Sequence, residues 1–244
     1  LVDGSGNTLN IGAQDTWTRD SVGANGSFTA VTPAIQHTAV GVITLDFDES
    51  VTGVDIEDFI LQRNTGSGPV NVSLAGLPVT TVSETRYTLD LNLKTGTAGD
   101  YTLFLVDTDP VTPILDAAGN QSAGTSVGWT TNITAPTASF AAITTPRQTS
   151  SGVVTINFSE DVTGFDIGDL ALSRDGQSLS LDALSLTPVS PTQYTIDLSI
   201  GSTDTPEGTY ELTVVAADSA VVDDAGNPLP NDSSMSWVMD TTAP

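Results

Sequence analysis

Hydrophobic and polar residues alternate one by one along much of the chain. Ile43, Leu45 and Phe47 are separated by Thr44 and Asp46, and Val154, Ile156 and Phe158 by Thr155 and Asn157. Tyr87, Leu89, Leu91 and Leu93 alternate with Thr88, Asp90 and Asn92, and Tyr194, Ile196, Leu198 and Ile200 follow the same rule. A period of two puts every apolar side chain on one face, so each segment is expected to be a strand with one buried side. Thr and Val are abundant, and turns rich in Gly, Pro and Asp fall between the runs. No segment carries a convincing helical period. Asp55 to Leu61 and Asp166 to Leu172 have room for a single helical turn before a strand.

The pattern is duplicated. Val42 to Asp58 aligns without a gap on Val153 to Asp169, and Tyr87-Thr-Leu-Asp-Leu matches Tyr194-Thr-Ile-Asp-Leu. Gly99-Asp-Tyr101 matches Gly208-Thr-Tyr210. A third element occurs three times: Asp3 to Asn7 leading to Trp17, Asp116 to Asn120 leading to Trp129, and Asp223 to Asn227 leading to Trp237. Asp3, Asp116 and Asp223 stand 113 and 107 residues apart, a whole-domain period. The expected organisation is a last-strand tail of a preceding repeat over 1–19, one repeat over 20–132 and a second over 133–244. Six or seven strands in each predict an antiparallel sandwich of Greek-key type. Tyr101 and Tyr210 fall at the start of the penultimate strand, where sandwich domains of the immunoglobulin kind place a tyrosine corner.

Composition narrows the functions. Six Lys and Arg face 30 Asp and Glu, a formal charge of −24, which argues against nucleic acid or an anionic membrane surface as partner. No apolar run reaches the length of a membrane span, so no membrane insertion is expected from these residues. The absence of cysteine excludes disulfides, thiolate metal sites and Cys nucleophiles. The single histidine, His37, excludes a repeated His-ligated site and reads as an incidental surface residue. Arg63 and Arg174 are equivalent and are expected to bridge a nearby Asp. Trp129 and Trp237 read as packing residues. No catalytic constellation emerges, and an enzyme is not expected.

The motifs Phe47-Asp-Glu49…Val51-Thr-Gly53 and Phe158-Ser-Glu160…Val162-Thr-Gly164 complete the picture. With them go the Asp-Ala-Ala-Gly-Asn loop and the Asp240-Thr-Thr-Ala-Pro244 linker. Together they make the chain resemble the bacterial immunoglobulin-like tandem repeats of large surface proteins and adhesins, over nearly its whole length. The resemblance implies an all-β chain of two tandem immunoglobulin-like antiparallel sandwiches joined by a short linker. It also implies an extracellular or cell-surface setting and calcium near the domain junctions. The linkers depart from the pattern in two places: Asp20-Ser-Val-Gly23 replaces Thr-Thr-Ala-Pro at the first, and Asn132 replaces Asp at the second.

In such a topology the linker entering a repeat lies beside that repeat's B–C and F–G loops. Repeat 1 then gathers Asp20, Asp48, Glu49, Asp107, Asp109 and Asp116 at one tip. Repeat 2 gathers Asn132, Glu160, Asp161, Asp218, Asp223 and Asp224. Crowded carboxylates repel unless a cation neutralises them, and an all-oxygen set suits Ca²⁺. The competing reading is exposed turn acids, with the Gly-Asn pairs making tight turns. Only six of the 30 acids are Glu, and Glu49 and Glu160 have no turn role, which favours the ion. The expected function is a non-catalytic stalk or adhesive segment whose partners are the neighbouring repeats and a surface glycan or protein. The alternative is a carbohydrate- or protein-binding accessory module of an extracellular enzyme.

Overall fold

A computed structural model of the chain describes Ser5, residues 18–106 and residues 112–242. The expected tail over 1–19 lies almost entirely outside these residues. The first sandwich contains β1 (Gly26–Phe28), β2 (Ile35–Gln36), β3 (Val42–Phe47), β4 (Val51–Thr52), β5 (Phe59–Asn64) and β6 (Pro69–Val72). It continues with β7 (Val79–Ser83), β8 (Arg86–Asp90), β9 (Gly99–Leu105), β10 (Leu115–Asp116) and β11 (Thr125–Thr131). One sheet has the order β1-β3-β8-β7 and the other β2-β11-β9-β5-β6. All neighbours are antiparallel except β2, which runs parallel to β11. A two-stranded ribbon, β4–β10, stands apart from both sheets.

The second sandwich repeats this plan. Its strands are β12 (Ala138–Phe140), β13 (Val153–Phe158), β14 (Val162–Thr163), β15 (Leu170–Arg174) and β16 (Gln177–Leu179). They continue with β17 (Leu186–Ser190), β18 (Gln193–Asp197), β19 (Gly208–Val214), β20 (Val222–Asp223) and β21 (Ser233–Met239). The sheets are β12-β13-β18-β17 and β16-β15-β19-β21, with β14–β20 as the ribbon. The counterpart of β2 shrinks to one parallel bridge between Arg147 and Met239. This is the strand order of immunoglobulin-like sandwiches, four strands facing a sheet that carries the chain's last strand. The fold is therefore all-β, in two tandem immunoglobulin-like units.

The alternation predicted from sequence is the burial pattern found. On β3, Ile43, Leu45 and Phe47 are buried and Val42 is exposed; on β13, Val154, Ile156 and Phe158 are buried and Val153 is exposed. Single 3₁₀ turns occupy Ile56–Asp58 and Ile167–Asp169, where sequence left room for one. Asp55 and Asp166 cap them: each side chain accepts from the backbone N–H two residues on, and Asp58 and Asp169 reach back in return. The far end of repeat 2 closes on Asp204, fully buried, which accepts from Ser150 Oγ (2.5 Å) and from the Ser151 N–H (2.7 Å) and hydroxyl.

Both tyrosine corners are present. Tyr101 Oη donates to the Thr97 carbonyl and Tyr210 Oη to the Pro206 carbonyl, each at 2.8 Å. Each ring stacks on the tryptophan of the last strand: Tyr101 on Trp129 at 5.5 Å and Tyr210 on Trp237 at 5.4 Å. The corner thereby ties a loop carbonyl to the largest side chains of the core.

The arginine expectation fails. Among the described residues the ion pair is Arg86 with Asp46, at 2.6 Å. The stems of Arg63 and Arg174 lie against Gly99 and Gly208 at the strand crossings, and Arg63 Nε is buried without a partner. Packing of the aliphatic stem across a glycine has taken the place of the expected salt bridge.

Replacing Tyr210 by Phe removes one backbone-anchoring hydrogen bond and is expected to cost repeat 2 about 1 kcal/mol. Trp237→Ala empties a fully packed site and is expected to cost about 3–5 kcal/mol. Equilibrium urea unfolding followed by far-UV circular dichroism reads both.

Candidate metal centre at the repeat joints

The F–G loop is shaped by one aspartate. Asp116 Oδ1 accepts from the Ala118 and Asn120 backbone N–H groups, both at 2.8 Å. Its Oδ2 accepts from Asn120 Nδ2, also at 2.8 Å. These bonds, the Asn120 side chain first, hold the Asp116 carboxyl below its usual range. Asp223 repeats the arrangement with Ala225, Asn227 N–H and Asn227 Nδ2. Both aspartates are buried, at 6% and 3% exposure. Such loops satisfy their own backbone, which explains why Asp-x-x-Gly-Asn recurs.

The same asparagines reach out to the entering linker. Asn120 Nδ2 donates to the Val22 carbonyl at 3.3 Å. Asn227 Nδ2 donates to the carbonyls of Asn132 at 3.0 Å and Thr134 at 3.2 Å. The B–C loop is fastened by the ribbons, which pair Val51 with Asp116 and Val162 with Asp223. Just beyond, Gly53 (φ +93°) and Gly164 (φ +81°) press on the F–G loop. A Cβ there would stand 2.3 Å from the Pro113 carbonyl oxygen and 2.2 Å from that of Ala220. The Val-Thr-Gly motif therefore needs glycine for both conformation and clearance.

Three segments now meet at the tip of repeat 1. Asp20 from the linker, Glu49 from the B–C loop and Asp116 from the F–G loop each offer an oxygen, and these oxygens lie within 4.8 Å of one another. Glu49 is pushed above its usual range, first by burial, then by the charges of Asp116, Asp20 and Asp48. At repeat 2 the same three positions are Asn132, Glu160 and Asp223. Glu160 is likewise raised, by burial first and the Asp223 charge second, with a smaller contribution from Asp224.

The other expected site residues have different places. Asp48 accepts from Asn25 N and Nδ2, both at 2.8 Å, and so ties β1 to the B–C loop. Those bonds hold its carboxyl low. Asp161 is exposed between β13 and β14, and Asp218 is exposed at a left-handed turn (φ +60°). Asp107 and Asp109 lie outside the described residues. Asn120 and Asn227, which recur in the tripled segment, clamp the linker, a role that the turn pattern alone does not signal. His37, expected to be incidental, lies at the joint: its Nδ1 meets the Ala225 carbonyl of repeat 2 at 2.9 Å.

No family model and no curated protein matches the chain. Among solved structures it is similar to a chimeric titin Z1Z2 functionalized with a KLER exogenous peptide from decorin, at 12% identity and TM-score 0.28. That match covers 90% of this chain and 97% of the other. It is also similar to a titin Ig tandem domain pair at 9% identity and TM-score 0.29, covering 90% and 99%. The immunoglobulin-like assignment rests on strand order and the tyrosine corners.

Glu49 titrates higher in the folded chain than its ordinary value of 4.5. The folded state therefore favours the protonated form, and stability from this group is lost as pH rises through the unfolded and then the folded pKa. In EDTA, Glu49→Gln is expected to raise the Tm at pH 7 and to lose that advantage below about pH 4. Differential scanning calorimetry at the two pH values checks this.

Proposed function

We propose that this chain is a length of stalk from a bacterial surface protein, stiffened by Ca²⁺ at the joint that enters repeat 1. The observation that carries the reading is the meeting of Asp20, Glu49 and Asp116 from three separate segments. An ion held by a linker, a B–C loop and an F–G loop fixes the linker to both loops at once. The donors are hard oxygens from carboxylates, with flexible geometry, which is the chemistry Ca²⁺ takes. The raised Glu49 supports the same reading: a crowded carboxylate is costly until a cation neutralises the group.

The tandem immunoglobulin-like architecture supports a structural rather than catalytic role. Most described aromatic side chains lie in or against the cores, as Tyr101, Trp129, Tyr210 and Trp237 show, and Phe104 is the half-buried exception on the outer face of β9. Those in the cores are thus committed to packing rather than to stacking on a sugar, which favours the stalk over a glycan-binding module. Adhesion belongs, on this reading, to other parts of the assembly that the stalk carries outward from the surface.

Thermal unfolding in EDTA, in millimolar Ca²⁺ and in Mg²⁺ tests the proposal. An ion that binds only the folded chain adds about 2.7 kcal/mol at 100 times its Kd. A Ca²⁺-selective rise in Tm that disappears in Glu49→Gln is the expected result. Equal melting in EDTA and Ca²⁺ would overturn it.

A further inference from the structure

Asn132 is bonded to both repeats. Its backbone N–H donates to the Gln36 carbonyl of repeat 1 at 2.8 Å, continuing the β2–β11 pairing into the linker. Its side-chain Nδ2 donates to Asp223 Oδ2 of repeat 2 at 3.2 Å. The amide orientation is fixed by the network, because Oδ1 already accepts from the Thr134 N–H at 3.0 Å. The NH₂ group must therefore face the carboxylates. It has two hydrogens, and the bond to Asp223 uses one of them. One neutral amide thus stands where Asp20 brings a third acid to the first joint.

His37 adds a second tie on the same side of the joint. The Ala225 carbonyl can only accept, so Nδ1 carries the proton and donates across the 2.9 Å contact. The neighbouring Gly226 makes this approach feasible: a Cβ there would stand 3.2 Å from His37 Nδ1. Asn227 supplies the third tie through the carbonyls of Asn132 and Thr134. Side chains from repeat 1 and the linker thus reach the F–G loop of repeat 2, and a third reaches from that loop back to the linker.

We propose that the joint between the two repeats is an ion-independent lock, in which the Asn132 amide holds Asp223, His37 holds the Ala225 carbonyl and Asn227 holds the linker carbonyls. The contrast with an ion-held joint rests on the Ca²⁺ reading of the Asp20 group; the lock itself does not. At the repeat 1 tip, Asp20 has only acceptor oxygens, one of them taken by the Val22 N–H at 3.1 Å. It has no donor to offer Asp116 or Glu49. At the second joint the donor is built in: the Asn132 Nδ2 faces Asp223, and its Oδ1 is turned to the Thr134 N–H.

The chain has no cysteine, so labels can be placed cleanly. Thr80→Cys and Thr187→Cys put one spin label on an exposed edge position of each sandwich. Pulsed dipolar spectroscopy on this double variant is expected to give one narrow inter-repeat distance, the same in EDTA and in millimolar Ca²⁺. Asn132→Ala and, separately, His37→Ala are expected to lose the narrow peak in both conditions, while the melting of each sandwich persists. A broad distribution in EDTA that narrows on adding Ca²⁺ would overturn the lock. So would an unchanged narrow peak in both Asn132→Ala and His37→Ala. If Ca²⁺ fails to raise the Tm but the EDTA peak is narrow and lost in these variants, the stalk-ion reading falls and the lock stands.

Discussion

A buried aspartate held in place by its own loop underlies the architecture of both joints. Asp116 and Asp223 each gather two backbone N–H groups and the Asn side chain four residues on. Burial of a carboxylate so placed is tolerated because its hydrogen bonds replace the water it has lost. The loop becomes a rigid shelf, the asparagine amide projects from it to the linker, and the two-residue ribbon fastens the B–C loop alongside. Without that shelf, neither Glu49 nor Glu160 would be pressed towards another acid, and the linker carbonyls would lose their partners.

Sequence disclosed those features whose cause is local or periodic. Alternation along β3 and β13 fixed which residues are inside, since one face of each strand is buried and a register slip would expose all of them. The tyrosine corners and the capped 3₁₀ turns were equally legible, because their bonds span four residues or fewer. The meeting of Asp20, Glu49 and Asp116 was readable only by combining the repeat with a topology.

What escaped depends on contacts across long separations. Asp48 stands next to Glu49 in sequence, yet its carboxylate is captured by Asn25. Arg63 and Arg174 were assigned to ion pairs from charge alone, whereas their stems are used as packing. His37 lacked a counterpart in repeat 2 and so looked dispensable. Its partner is a carbonyl 188 residues away, and a backbone acceptor leaves no mark in composition. Asn132 was visible as a departure from Asp, but its consequence lay in the direction its amide faces.

That departure is an exchange of one oxygen for one nitrogen. Asp20, Asn132 and Asp240 occupy the same place in successive linkers. On the reading developed above, a carboxylate there makes a joint responsive to its medium and an amide makes it indifferent. Stiffness in a tandem array is then set segment by segment, by a residue that belongs to no strand and no core. Such a chain can be graded along its length, or retuned by a single codon, while every sandwich in it stays the same.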